Sequence, residues 1–458
     1  MIRISSRPLT DAATSAVYAA TLFLAGCSGT SSPAGHEGAA DAQAPSIPTI
    51  RYLNIDEHGK LKAPEQLQAL AQEAKNSGVT DVFIMAHGWN NSASEAKASY
   101  ETRLARTVEA SQLKPELRPQ PFKQMFIGLI WPSKAWDFGP TQESAVAPTL
   151  TPDQLAALSE SFPIASLKDA SPTSSDAELE AQRAADLGKI TQLAQKAPAE
   201  TTLEDRQAAF ILFRKYSIKP SKLKFPSTDD QNRFDGPVPE GVISLSQGLF
   251  PTIGDAARVF TFWQMKMRAG IVGENGGAEI LKSIKGTVSG CRVHLLGHSF
   301  GSKVVLAAVL AYSKDDPQAK VDTMVLLQGA ISYQALADQV GGAPPSTPGG
   351  YRDDLKAVKG PIVATFSKFD IPLNKGYPLG AFIGNQTGEL EGVSIFSALG
   401  AIGFDSVNPI TMKDPGTPYG FKREPKLYSI AGSDHIPGHS AISDPAVAWM
   451  EWAAIVCD

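Results

Sequence analysis

The stretch Cys291-Arg292-Val293-His294-Leu295-Leu296-Gly297-His298-Ser299-Phe300-Gly301-Ser302-Lys303-Val304-Val305-Leu306 is the key to this chain. Its first six residues form a short apolar run of the kind that makes a buried strand, and from residue 303 to about 312 the apolar residues recur at helical spacing. Between them lies Gly297-His298-Ser299-Phe300-Gly301, a serine with glycine two residues to either side. A serine carried on a sharp strand-to-helix turn demands that pattern. The backbone there is strained and closely packed, and a side chain at either flanking place would collide. The motif G-x-S-x-G in this context predicts a nucleophilic hydroxyl at the C-terminal end of a strand.

Outward from this turn, strand-like and helical segments alternate, which predicts an α/β fold with a mostly parallel sheet and helices on both faces. Upstream, residues 50–56, 80–86 and 125–131 read as strands and residues 64–76 and 94–110 as helices. The rhythm stops between residues 132 and 253. Inside that gap Ser175-Asp176-Ala177-Glu178 is a capping box opening a helix with Leu179, Leu187, Ile190 and Ala194 along one side, and residues 203–216 form a second candidate helix. A largely helical insertion is expected there, serving as a lid or cap or as purely structural packing. Helices at 255–270 and 278–284 precede the central strand. Beyond it come a helix at 303–312, strands at 323–328, 362–366 and 426–430, a long apolar loop at 371–421, and a closing helix at 445–455.

Two segments supply what a serine nucleophile needs. The strand at 362–366 runs into Ser367-Lys368-Phe369-Asp370; Asp353, Asp354 and Asp405 are rivals, but none follows a strand so directly. After the strand at 426–430 come His435 and His439, within Ser433-Asp434-His435-Ile436-Pro437-Gly438-His439-Ser440. A histidine takes the serine proton, and a carboxylate accepting its Nδ1–H fixes the tautomer and stabilises the imidazolium. The loop His87-Gly88-Trp89-Asn90-Asn91 directly follows the strand at 80–86.

From residue 50 to the C-terminus the chain resembles the α/β-hydrolase family, on the Gly297-His298-Ser299-Phe300-Gly301 turn, the His87-Gly88-Trp89 loop and the Gly438-His439-Ser440 turn before the last helix. The resemblance implies the α/β-hydrolase fold and a triad in the family order Ser299, Asp370, His439, which leaves His435 as a rim or structural residue. It implies an oxyanion hole built from the backbone N–H groups of Trp89 and Phe300. The implied activity is carboxylic ester hydrolysis through an acyl-enzyme on Ser299, esterase-like or lipase-like. The same triad would serve an acyltransferase or thioesterase, and a scaffold of this kind could also be used for binding alone. Phe382, Ile383, Ile395, Phe396 and Leu399 are available to line a pocket for an acyl chain, so a small-molecule or lipid ester is the expected partner. His87, His298, His435 and His439 have no metal-site spacing, no phosphate-binding glycine loop or dinucleotide fingerprint occurs, and neither metal nor cofactor is expected.

The 458 residues are 43% hydrophobic with a formal net charge of -5, ample for a large core and without the Lys/Arg block that nucleic acid would require. Near the start, Arg3 and Arg7 precede a modest apolar run at residues 12–24, which ends in Leu24-Ala25-Gly26-Cys27. This resembles the bacterial lipobox. Residues 1–27 then form an export signal with Cys27 lipidated, residues 28–48 a Ser/Gly/Ala/Pro tether, and residues 49–458 the folded domain. An ordinary cleaved signal is the alternative, and either would export the domain. Ser28 lacks the aspartate of an inner-membrane retention signal, which favours the outer membrane in a two-membrane bacterium. Cys291 and Cys457 are both expected at the sheet edge opposite the active site, where export permits a disulfide; two free thiols are the alternative.

Overall fold

A computed structural model of the chain describes residues 48–134, 167–168, 172–194, 196, 200–216, 224, 264–341, 344–376, 389–390, 393–394, 397–424 and 426–457. The expected export signal, Cys27 and the tether up to residue 47 lie outside them, as do Phe382, Ile383, Ile395 and Phe396.

The strands are β1 Ile50–Asn54, β2 Asp81–Ala86, β3 Gln124–Ile130, β4 Arg292–His298, β5 Thr323–Leu327, β6 Pro361–Phe366, β7 Glu389–Leu390, β8 Val393–Ser394, β9 Ile410–Thr411 and β10 Lys426–Ala431. Eight of them form one sheet in the order β1-β3-β2-β4-β5-β6-β10-β9, and every neighbouring pair is parallel. The two-residue strands β7 and β8 pair antiparallel on their own. The helices are α1 Pro64–Asn76, α2 Ala93–Leu113, α3 Asp176–Ala194, α4 Leu203–Tyr216, α5 Ala278–Thr287, α6 Gly301–Asp315, α7 Asp354–Ala357, α8 Leu399–Ile402 and α9 Pro445–Val456. Where the sequence predicts two separate helices, residues 264–272 are helical and continue through a π-turn at Gly273–Gly277 into α5.

Successive residues of a strand face opposite sides, so a sheet covered twice needs apolar residues at both parities. In β2, Val82, Ile84 and Ala86 join a core with α1, α5 and α6, while Phe83 and Met85 join a second core with α2 and α9. In β5, Met324 and Leu326 point to the first face and Val325 and Leu327 to the second. Helices therefore cover both faces, as expected.

That two-sidedness sets the two cysteines apart, in line with the alternative to a disulfide. Cys291 is a buried free thiol in the first core, whereas Cys457 ends α9, which packs in the second core; the Cys457 Sγ lies 3.6 Å from the Ala454 carbonyl. The two cysteines share an edge but sit on opposite faces of the sheet.

Within the long gap the two expected helices are present as α3 and α4. Ser175 and Glu178 make the capping box, the Glu178 amide donating to Ser175 Oγ at 3.3 Å and the Ser175 amide to Glu178 Oε2 at 2.8 Å. Lys215 and Tyr216 of α4 both bind Asp186 of α3, at 2.6 and 2.7 Å. Leu399, expected to line a pocket, is instead fully buried in the first core.

On the second face α2 and α9 are joined by a buried ion pair, Arg103 Nη2 to Glu451 Oε1 at 2.8 Å, with Arg103 3% and Glu451 2% exposed. Removing one member leaves the other charge buried and unpaired. We expect Glu451→Ala to lower the unfolding free energy by about 3 kcal/mol or more and the double replacement Arg103→Met/Glu451→Leu to recover most of that loss, read by urea denaturation.

Candidate active site

The register pairs Ala86 of β2 with Gly297 of β4, so the loop after β2 and the turn after β4 leave the sheet side by side. They touch there. A Cβ on Gly301 would lie 2.0 Å from the Ala86 carbonyl oxygen, and one on Gly88 would lie 2.7 Å from Ser299 Cβ. Ser299 takes a positive φ of 55°, rare for a residue with a side chain. Its amide donates to the Leu327 carbonyl at 3.0 Å, and its own carbonyl accepts from the amides of Ser302 and Ala330 at 3.0 and 3.1 Å.

His439 lies on the loop between β10 and α9, with Nε2 2.8 Å from Ser299 Oγ and Nδ1 2.8 Å from Asp370 Oδ2. A carboxylate only accepts, so Nδ1 carries the hydrogen, and Nε2 is the lone pair that faces the serine hydroxyl. Asp370 has no exposed surface, and its other oxygen, Oδ1, accepts from the Leu373 amide at 3.0 Å. The structure brings together all three residues that the sequence selected.

The rivals stand elsewhere. His435 Nδ1 pairs with Asp444 Oδ1, the side chain that caps α9, at 3.3 Å. Asp353 binds Lys314 and Lys356 on the surface. Asp354 is wholly buried with neither carboxyl oxygen bonded, and burial holds its pKa well above the carboxylate range.

The His87-Gly88-Trp89-Asn90-Asn91 loop is braced from several directions. The Asn91 side chain donates to the carbonyls of Gly88 and Trp89 at 3.1 and 3.0 Å, and the Asn90 amide donates to the Ser133 carbonyl at 2.9 Å. His87 stacks on Trp131 with ring centroids 5.4 Å apart, its Nδ1 is 2.9 Å from the Gly88 carbonyl, and its Nε2 is 3.3 Å from the Trp131 amide. One nitrogen must donate and the other accept, so the ring is neutral; burial lowers its pKa to about 4. The rings of Trp89 and the fully buried Phe300 are 6.2 Å apart, which brings the two expected oxyanion residues into one corner beside Ser299.

Two further side chains join the site in roles that no motif announces. His298 is buried, its Nε2 is 2.9 Å from the His439 carbonyl, and burial followed by the neighbouring His439 holds its pKa well below the usual value. Gln328, just after β5, places Nε2 2.8 Å from Asp370 Oδ2. A polar residue closing an apolar strand before a glycine was its only signal. Among the described residues no cluster of His, Cys, Asp and Glu could hold a metal. A separate cavity of about 520 Å³ lies at the opposite sheet edge, lined by Lys282, Lys285, Lys320 and Lys359 among others, away from Ser299.

Comparison with known proteins finds no matching family model, no matching curated relative and no matching solved structure.

His87 is neutral in the folded protein but takes up a proton in the unfolded chain below about pH 6.5. Stability is unaffected by this group above pH 6.5 and declines as the pH falls from there towards 4, by on the order of 3 kcal/mol in full. We expect His87→Asn, which retains a donor but does not titrate, to show a smaller stability loss than wild type between about pH 7 and about pH 4.5 in urea denaturation.

Proposed function

We propose that this protein is a serine hydrolase on an α/β-hydrolase scaffold, cleaving carboxylic esters through an acyl-enzyme on Ser299. One observation carries the reading: Ser299 Oγ, His439 and Asp370 are joined by two 2.8 Å hydrogen bonds, on a serine at φ 55° between β4 and α6.

In the proposed reaction His439 Nε2 takes the Ser299 proton as Oγ attacks the ester carbonyl. The Asp370 carboxylate balances the imidazolium. The amides of Trp89 and Phe300 would hold the oxyanion, each such donor contributing about 3 kcal/mol to the transition state. The imidazolium then protonates the departing alcohol, leaving the acyl group on Oγ. Water, deprotonated by His439, adds to that ester, and collapse returns the proton to Ser299 and releases the acid.

The helical insertion at residues 132–253 is proposed as the lid or cap over this site, and Phe382, Ile383, Ile395 and Phe396 as the acyl-chain lining. The Leu24-Ala25-Gly26-Cys27 motif supports an exported enzyme held by a lipid on Cys27, at the outer membrane in a two-membrane bacterium. Among the described residues no helix is long and apolar enough to cross a membrane.

The test is labelling of residues 46–458 with a fluorophosphonate probe and turnover of p-nitrophenyl esters of increasing chain length. Wild type and His435→Ala should label. Ser299→Ala and His439→Ala should not, with kcat lower by about 10⁴-fold or more. A wild-type protein that neither labels nor turns over any ester would sink the proposal.

A further inference from the structure

We infer that Gln328 is a positioning residue for the triad: its side-chain amide orients the Asp370 carboxylate and moderates the pull of that carboxylate on His439. The inference rests on the catalytic reading of Ser299, His439 and Asp370.

Asp370 Oδ2 receives two donors, His439 Nδ1 and Gln328 Nε2, each at 2.8 Å. The Gln328 amide has only one orientation that satisfies its surroundings. Thr365 Oγ1 accepts the Gln328 backbone N–H at 3.0 Å, which turns the hydroxyl proton towards Gln328 Oε1, also at 3.0 Å. The other end of the amide faces two acceptors, Asp370 Oδ2 and the Gly400 carbonyl at 3.2 Å. A flipped amide would set its oxygen against a carboxylate and a carbonyl and its NH₂ against a hydroxyl proton.

The backbone is arranged to the same end. Gln328 has no exposed surface and adopts φ 44°, a conformation that costs free energy in any residue but glycine. Gly400 packs directly on it, since a Cβ there would lie 2.5 Å from the Gln328 carbonyl carbon. The left-handed turn sends the side chain sideways from the end of β5 to the acid after β6.

A second donor on Oδ2 lowers that oxygen's affinity for the shared proton, which favours its retention on His439 Nδ1. Among the described residues, the side chains that meet His439 besides Asp370 are Ser299 and His298, the latter with its ring centroid 5.1 Å away and held neutral by burial. His435 is engaged with Asp444. Gln328 is therefore the uncharged side chain that tunes the acid.

The experiment compares wild type, Gln328→Met and Gln328→Glu by kcat, KM and the pH dependence of kcat/KM on a soluble p-nitrophenyl ester, with urea denaturation alongside. Gln328→Met should lower kcat about tenfold with KM within about twofold. Its acid limb should move to higher pH, because a carboxylate relieved of one donor holds the imidazolium more strongly. Gln328→Glu keeps the shape and, while protonated, the donor; ionisation of that second carboxyl beside Asp370 should add a further step to the profile. An unmoved acid limb in stable Gln328→Met, with or without a fall in kcat, reduces Gln328 to packing and overturns the inference. If Gln328→Met does not fold, the absence of an added step in Gln328→Glu overturns it equally. Activity lost in Ser299→Ala alongside an unmoved Gln328→Met profile overturns this inference alone; activity retained in Ser299→Ala overturns the triad and the inference with it.

Discussion

Two backbone segments cross at the C-terminal edge of the sheet with no room for a side chain between them. Gly301 presses on the carbonyls of Ala86 and His87, and Gly88 presses on Ser299. Adjacent parallel strands in register make this approach unavoidable, because Ala86 and Gly297 are partners and the chain must turn immediately after each. Once the backbones are that close, α6 starts where it does and Ser299 is forced to positive φ. Such a conformation costs about 1–3 kcal/mol. It is offset by the burial of α6, where every residue from Gly301 to Tyr312 is inside.

Around that crossing the loops are held by buried and half-buried polar groups. A buried polar network is stabilising only when each member is satisfied. Ser367 Oγ donates to the Ile436 carbonyl at 2.7 Å and accepts from the Phe369 amide at 3.1 Å. Asn374 Nδ2 donates to the carbonyls of Ser367 and Asp370 at 2.9 and 2.8 Å. Asp370 and Asp354 illustrate the two fates of a buried acid. The first is bonded at both oxygens, whereas the second is bonded at neither and is pushed towards its neutral form. Asp354 stands in the charged stretch Arg352-Asp353-Asp354-Leu355-Lys356 and Asp370 between Phe369 and Ile371, yet both are wholly buried, and the partners set by the fold decide their different fates.

The sheet was legible because apolar runs and helical periods are local signals. So was the grouping of Ser299, Asp370 and His439, because each follows a strand. β9, β7 and β8 are two residues long, too short for a period to register. The relation of the two cysteines was hidden for a different reason. Parallel strand direction assigns Cys291 and Cys457 to one edge, but the face is set by parity and by which side α9 packs on. Cys291 has the parity of Val293 and Leu295 and faces α1, α5 and α6, while α9 lies behind Phe83, Leu296 and Val325. Gln328 was hidden because its role comes from a φ of 44° that neither composition nor spacing announces.

The separation of Ser299 from His439 by 140 positions makes their 2.8 Å contact a statement about sheet register. β10 pairs with β6 over six consecutive residues, from Lys426 with Pro361 to Ala431 with Phe366. The acid loop and the histidine loop thus leave from partner residues and are joined at once, the Gly432 amide donating to the Phe366 carbonyl at 2.9 Å. The histidine loop is also tied to the Ser299 turn by His298 and the His439 carbonyl. A slip of one residue between β6 and β10 would turn Tyr428 and Ile430 from the second core to the other face. The apolar burial that sets the register of the sheet therefore also sets how close the Asp370 and His439 loops come, and hydrogen bonds from Gln328 and Leu373 orient the Asp370 carboxylate within that frame.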